Sequence, residues 1–124
     1  MRYAILCYDS EAIVGSWTKA EDDALMAKQA VVERKLAAEG KLGPVVRLMP
    51  TTAATTLRKG AEPLIIDGPF AETKEQLLGF YIVDCASLHE VIDVARLLAQ
   101  THANGAGAYE IRPIATFEPG SLPA

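Results

Sequence analysis

The sequence predicts an α+β fold in which two helices pack on one face of an antiparallel sheet. Residues 2–8 and 79–85 are apolar at both odd and even positions, which is the pattern of strands in the middle of a sheet. Two amphipathic helices are predicted, and each begins at a capping spacing. The chain has 124 residues, half of them hydrophobic, which is enough for one domain with its own core.

The N-terminal part of the chain predicts a strand followed by a helix. Residues 2–8 form the first central strand, and a polar, glycine-containing loop over residues 9–17 follows it. Thr18 and Glu21 have the spacing by which two side chains satisfy free backbone donors at a helix start. We expect this helix to end at Gly40 in a left-handed cap. Its sheet-facing stripe is apolar: Ala24, Leu25, Val31, Val32 and Leu36.

The middle of the chain is less regular, because Pro44 and Pro50 interrupt it. Three short strands are predicted, and a turn at residues 59–60 joins the last two into a hairpin. After a further turn at residues 67–70, a short capped helical turn is expected over residues 73–76. The three strands span residues 45–49, 55–58 and 64–66.

The C-terminal part predicts a strand, a helix and a strand. Residues 79–85 form the second central strand, and Ser87 with Glu90 repeats the capping spacing at the start of the second helix. A loop over residues 104–107 leads to a last strand over residues 109–117, whose proline indicates an edge or a strand end. The apolar stripe of the second helix consists of Leu88, Val91, Ile92, Ala95 and Leu98.

This order of elements is the ferredoxin-like βαββαβ pattern with a hairpin inserted in the middle. Two helices cover only one face of such a sheet, whereas each central strand is apolar on its two faces. The second face of the sheet therefore needs a partner, most simply a second copy of the chain. The central strands run antiparallel, which places Cys7 and Cys85 at opposite ends of the sheet and makes a disulfide between them unfavourable. We expect residues 1–117 to form one domain and residues 118–124 a loose tail.

Composition and charge exclude several classes of function. The formal net charge of −4 gives no basic surface for nucleic acid, and no apolar run is long enough to cross a membrane. The apolar residues 1–8 are too short for a signal peptide, so we expect a cytoplasmic protein. Neither a metal nor a cofactor is expected, because the soft or borderline ligands lack the spacing of a metal site: Cys7, Cys85, His89 and His102.

The stretch from Asp67 to Tyr81 reads DGPFAETKEQLLGFY and resembles the signature of the DGPF branch of the YCII-related family. Residues 1–3, 54–58 and 110–114 are similar to that family as well. The resemblance implies a ferredoxin-like subunit and a homodimer of the dimeric α+β barrel kind, with a largely uncharacterised activity. Some members are believed to use a His and Asp pair, and this chain departs from them because it has no histidine before His89.

Asp67 is the candidate catalytic residue. A carboxylate at a strand end with Phe70 and Phe80 as neighbours could be partly desolvated and suited to acid or base work. Alternatively, it accepts backbone amides and fixes the Gly-Pro turn. Lys74 and Arg112 could hold a small anionic molecule; the alternatives are a solvated helix start for the lysine and an ion pair with Glu110 for the arginine. The full set expected to bind substrate is Gly68, Phe70, Lys74, Tyr81 and Arg112.

Two classes of function fit this sequence. The first is a homodimeric enzyme or binding protein for a small molecule, with acid or base chemistry, no metal and a pocket near the Asp67 turn. Tyr8 and Trp17 flank the first loop and either line a pocket or fill the core. The second is a regulatory interaction module associated with an alternative sigma factor, which the family resemblance implies. A pocket holding a desolvated Asp67 favours the first class, and a filled interior with an exposed apolar surface favours the second.

Overall fold

The computed structural model describes residues 1–102 and 106–123, so the predicted loop positions Asn104 and Gly105 lie outside the described residues. The helices are α1 (Glu11–Val14), α2 (Lys19–Ala38) and α3 (Leu88–Ala99), and one 3-10 turn covers Thr51–Ala53. The strands are β1 (Arg2–Asp9), β2 (Leu42–Arg47), β3 (Thr55–Arg58), β4 (Leu64–Asp67), β5 (Gln76–Asp84) and β6 (Ala108–Pro113).

A four-stranded antiparallel sheet in the order β2-β5-β1-β6 forms the centre of the fold. β1 and β5 are the central strands, as predicted, and they pair from Arg2 opposite Asp84 to Asp9 opposite Gln76. β3 and β4 form a separate two-stranded hairpin. The predicted ferredoxin-like order with an inserted hairpin is therefore confirmed, with the proline-containing β6 at one edge.

The hydrophobic core lies between one face of this sheet and helices α2 and α3. Alternate residues of the central strands point to the helices, so that Ile5 is paired with Tyr81, and Tyr3 with Val83. Full burial of one aliphatic side chain stabilises the fold by about 1.5–3 kcal/mol, so a few such residues hold each helix on this face. The helices contribute Leu36, Val91, Val94 and Leu98 to the core.

Both long helices begin at their predicted caps. Thr18 Oγ1 accepts a hydrogen bond from Glu21 N at 3.1 Å, and Glu21 Oε1 accepts one from Thr18 N at 3.2 Å. Ser87 Oγ accepts from Glu90 N at 3.3 Å at the start of α3. Gly40 follows α2 with a φ of 71°, the left-handed conformation that was predicted. No helix among the described residues is long and apolar enough to span a membrane.

The predicted helical turn over residues 73–76 is wrong. The backbone bends here and enters β5 at Gln76, which pairs with Asp9 of β1. The Gln76 side-chain Nε2 donates to Thr73 O at 2.5 Å, so the side chain completes a turn that the backbone does not continue as a helix. Pairing with β1 thus outweighs the local capping pattern.

Several other predicted bounds differ from the structure. The loop over residues 9–17 contains the short helix α1, which Ser10 caps by accepting a hydrogen bond from Ile13 N. β6 ends at Pro113 rather than at residue 117, and Ile114 N makes one further hydrogen bond to Arg2 O of β1 at 2.9 Å. Val31 and Leu88 were predicted to lie in the buried stripes of the first and second helices, but both are exposed.

The face of the sheet that points away from the helices is apolar. Leu6, Phe80 and Ile82 alternate with core residues along their strands, so they point to this face, and each is only partly buried. Val46 is paired with Phe80 on the neighbouring strand. We refer to Leu6, Val46, Phe80 and Ile82 as the open sheet face. Within the described part of the chain, no helix covers it.

The hairpin formed by β3 and β4, with the turn that follows it, is a second exposed apolar surface. We refer to residues 55–70 as the hairpin arm. Its turn is tied back by Gly68 N, which donates to Ala54 O at 2.8 Å, and by Thr56 Oγ1, which donates to Gly68 O at 2.8 Å. The exposed apolar side chains of the arm are Leu57, Leu64, Ile65, Ile66 and Phe70.

Candidate functional site

A cleft of about 900 Å³ opens between α2 and the helix-covered face of the sheet. Helix α2 is buried against the core through Leu36 near its C-terminal end, whereas its preceding turns line the cleft. A second cavity of about 250 Å³ lies beside Arg2 and Phe117. The larger cleft is the candidate site, because a histidine, a buried carboxylate and three phenols converge on it.

Helix α2 turns polar side chains toward this cleft. Leu25, Gln29 and Glu33 lie four residues apart, so they share one face of the helix, and all three line the cleft. A helix that packs closely on a sheet carries apolar residues at such positions. Gln29 and Glu33 interrupt the apolar stripe because this part of α2 faces a cavity rather than the core.

Asp9 ends β1 with a side chain on the cleft wall, and the residue is only 8% exposed. Its Oδ1 accepts a hydrogen bond from Ser10 N at 2.7 Å. Gly107, with a φ of 84°, lies against it: a Cβ there would be 3.1 Å from the carboxyl carbon of Asp9 and would collide with Tyr8 O. Glycine therefore lets the chain before β6 pass over Asp9, which shields the carboxylate from solvent.

His102, which follows α3, is the histidine of the cleft. As the side chains are placed, Gln29 Nε2 donates to His102 Nε2 at 3.3 Å, so Nδ1 carries the proton of the neutral ring. The ring of Tyr109 meets the imidazole edge-on, with centroids 6.4 Å apart. Burial lowers the pKa of His102, and the Asp9 charge partly opposes that change. The imidazole is therefore mainly neutral at pH 7.

Tyr81, Tyr109 and the thiol of Cys7 line the same cleft in their protonated forms. Burial raises the pKa of Tyr81 and of Tyr109, and the Glu33 carboxylate raises that of Tyr81 further. Burial also raises the pKa of Cys7 to about 12. At neutral pH the phenols are hydrogen-bond donors, and the thiol is not a nucleophile.

Charged side chains at the mouth of the cleft contact their neighbours. Arg47 forms a two-pronged ion pair with Asp22, with N–O distances of 2.8 and 3.2 Å. Glu11 accepts hydrogen bonds from Thr51 N at 2.8 Å and from Thr51 Oγ1 at 2.6 Å. These contacts tie α1 and α2 to β2 and the segment after it, so they hold the mouth of the cleft in place.

Most of the sequence-predicted site residues lie outside this cleft. Asp67, Gly68 and Phe70 are on the hairpin arm, where Asp67 is exposed and lines neither cavity. Lys74 is exposed in the segment before β5. Arg112 is exposed on β6, opposite Ala4, and it is not ion-paired with Glu110.

Tyr81 is the predicted substrate-binding residue that the structure places in the cleft. Tyr8 and Trp17 line the cleft as well, which decides between the two alternatives that the sequence left open for them. Sequence reasoning missed the other polar residues of the cleft. Among these are Asp9, Gln29, Glu33, His102 and Tyr109.

We predict that the stability of the fold falls as the pH drops below about 6.5, the unperturbed pKa of histidine. Below that value the unfolded chain binds a proton at His102 before the folded chain does, because the pKa is lowered in the folded protein. His102→Gln should remove this part of the pH dependence, measured as the shift in urea midpoint between about pH 7.5 and about pH 5.5. An identical shift in the variant would show that folding does not perturb His102.

Two comparisons relate the chain to known proteins. A family model described as the YCII-related domain matches residues 1–118. An uncharacterised protein of Rhizobium meliloti (strain 1021) is 54% identical over 125 residues, and the match covers 100% of both chains. Both matches include β1, α2 and the end of α3, the elements that form the cleft. The chain therefore belongs to the YCII-related family.

Proposed function

We propose that the protein is a homodimeric enzyme or binding protein for a small molecule, which it holds in the cleft between α2 and the sheet. The observation that supports this proposal is the cleft itself. Its volume of about 900 Å³ falls in the range of ligand pockets, about 300–1,000 Å³. Its walls are largely apolar, and a few titratable groups converge on it, which is the usual composition of a ligand site.

The titratable groups of the cleft suit acid or base chemistry without a metal. The neutral imidazole of His102 can accept a proton at Nε2 when a bound molecule takes the place of Gln29 Nε2 there, and the Asp9 charge would stabilise the imidazolium that forms. Tyr109 would donate a hydrogen bond to a polar atom of the ligand. Before a ligand binds, Gln29 orients the His102 ring through its hydrogen bond to Nε2.

The homodimer is proposed from the two uncovered apolar surfaces, the open sheet face and the hairpin arm. Monomeric soluble proteins rarely expose contiguous apolar patches of this kind. A second copy that packs sheet against sheet would bury Leu6, Phe80 and Ile82 of both chains. The resemblance to the dimeric α+β barrel proteins implies the same assembly.

A catalytic role for Asp67 stays a prediction. Its carboxylate is exposed on the hairpin arm and lines neither cavity of its own chain. It would reach a ligand in the cleft only if the arm of one copy met the cleft of another. Lys74 and Arg112 also lie outside the cleft, so the original reason for expecting an anionic ligand does not apply to this site.

A regulatory interaction module is the second candidate function, and the hairpin arm is the observation that favours it. Ile65 is 70% exposed and Phe70 is 74% exposed, although both are large apolar residues. If the arm remained exposed in the homodimer, a protein partner would be expected to cover it. Binding of a small molecule in the cleft distinguishes the two candidate functions, because an interaction module needs no ligand between α2 and the sheet.

Filling the cleft with a larger side chain tests the proposed function. Met26→Trp enlarges a cleft residue, and Val31→Trp makes a similar change on the other side of α2, where Val31 is 59% exposed. Fragments that raise the Tm of the wild-type protein should raise that of Val31→Trp equally, because a ligand that binds only the folded state stabilises it. The same fragments should lose their effect on Met26→Trp. Equal responses of the two variants would place binding elsewhere and contradict the proposal.

A further inference from the structure

We propose that the cleft selects a ligand that joins a cationic amine to an apolar body, and that it disfavours anions. This inference rests on the proposed function, since it assumes that a small molecule occupies the cleft. It specifies the charge of that molecule, which is determined by the side chains that surround it.

Acidic side chains outnumber basic ones around the cleft, four to two, without counting the mainly neutral His102. Both basic residues are already paired: Arg47 with Asp22 at 2.8 Å and Lys19 with Asp23 at 2.8 Å. An anionic ligand would have to compete with these carboxylates for either cation. The lining residues with full charges are Asp9, Glu11, Lys19, Asp22, Glu33 and Arg47.

The carboxylates of Asp9 and Glu33 set the charge of the cleft interior. Glu11 is hydrogen-bonded to Thr51 and Asp9 to Ser10 N, and neither Asp9 nor Glu33 forms a salt bridge with any residue that the structure describes. Asp9 is also more than nine-tenths buried. A shielded carboxylate without a cation is unfavourable, so an entering ammonium group would offset that cost and an entering carboxylate would add to it.

Aromatic side chains of the cleft favour the same kind of ligand. Trp17, Tyr81 and Tyr109 line it, and the faces of such rings attract cations as well as apolar groups. The Glu33 carboxylate raises the pKa of Tyr81, so negative charge lies beside this phenol. Ring faces and carboxylates together form a site for an amine with an apolar body.

Three compounds with the same phenyl group and carbon chain but different charge test this inference: 4-phenylbutylamine, 4-phenylbutanol and 4-phenylbutyrate. Isothermal titration calorimetry near neutral pH and at low salt gives the Kd of each. We expect the amine to bind at least about tenfold more tightly than the carboxylate, with the alcohol between them. The contribution of Asp9 to this preference should depend little on salt, because that carboxylate is shielded.

Charge-removing variants provide the controls. Glu33→Gln and Asp9→Asn should each weaken the preference for the amine by about threefold or more, whereas Glu62→Gln, which removes the same charge from the exposed hairpin, should not change it. If Asp9→Asn does not fold, Glu33→Gln alone decides the result. Equal or tighter binding of the carboxylate overturns this inference. If the wild-type protein binds the alcohol and Met26→Trp abolishes that binding, the proposed function still holds. A wild-type protein that binds none of the three compounds and no fragment in the cleft overturns both this inference and the proposed function.

Discussion

Replacing Gly79 by alanine is expected to lower the free energy of unfolding by about 3 kcal/mol, the upper end of the usual cost of overpacking. Gly79 is buried in the central strand β5, where it is paired with Arg47 of β2. A Cβ at this position would collide with Val46 O and would lie 3.2 Å from Arg47 Cα. Both atoms belong to the backbone of β2, so no side-chain rotation relieves the contact, and the edge strand must move away from β5.

Urea unfolding measures this effect, with Gly60→Ala as the matched control. A Cβ at Gly60 would meet no atom within 4 Å, so the control should change the free energy of unfolding by less than about 0.5 kcal/mol. Because Gly79 also lines the cleft and lies beside Arg47, its variant should weaken ligand binding as well. A Gly79→Ala protein as stable as the control would show that β2 can shift at little cost.

Replacing Phe80 by lysine is expected to convert the proposed homodimer into a monomer. Phe80 lies on the open sheet face between Leu6 and Val46, so sheet-to-sheet packing would force the new ammonium group into an apolar interface. The mass of the particle measured by light scattering should fall from twice the chain mass to a value near 13.3 kDa. The chain should remain folded, because the Phe80 side chain does not belong to the core on the helix side of the sheet.

Val31→Lys is the control for this experiment, because it adds the same charge to the exposed side of α2. It should leave the mass of the dimer unchanged. A wild-type protein that is monomeric at micromolar concentration would contradict the proposed assembly. Dissociation by Val31→Lys but not by Phe80→Lys would show instead that the chains associate through their helices.

The fold could largely be predicted from the sequence because its signals are local. The cap residues Thr18 and Ser87 and the apolar runs of β1 and β5 each define an element within a few positions of the chain. The prediction for residues 73–76 was wrong because a similar local pattern there competes with strand pairing, and the pairing of Gln76 with Asp9 prevails. Local patterns do not report on such long-range hydrogen bonds.

The candidate site could not be predicted in the same way, because its polar residues come from distant parts of the chain. Asp9 and His102 are far apart in sequence and meet only when β1 and the end of α3 are in place. The site predicted from the sequence was centred on the turn at residues 67–70, where the residues of a recognisable motif are adjacent in the chain. One signal was available: Gln29 and Glu33 interrupt the apolar stripe of α2, which indicates that this part of the helix faces a cavity.

The central claim is that the cleft between α2 and the sheet is a small-molecule site. The most direct test of this claim is the position of a bound ligand. The chain contains three methionines, and labelling their methyl groups with ¹³C gives one probe at Met26 on the cleft wall and another at Met1, which does not line the cleft. Titration with 4-phenylbutanol or with any stabilising fragment should shift the Met26 resonance and leave Met1 unchanged. Ligands that stabilise the protein but leave Met26 unshifted would contradict the account.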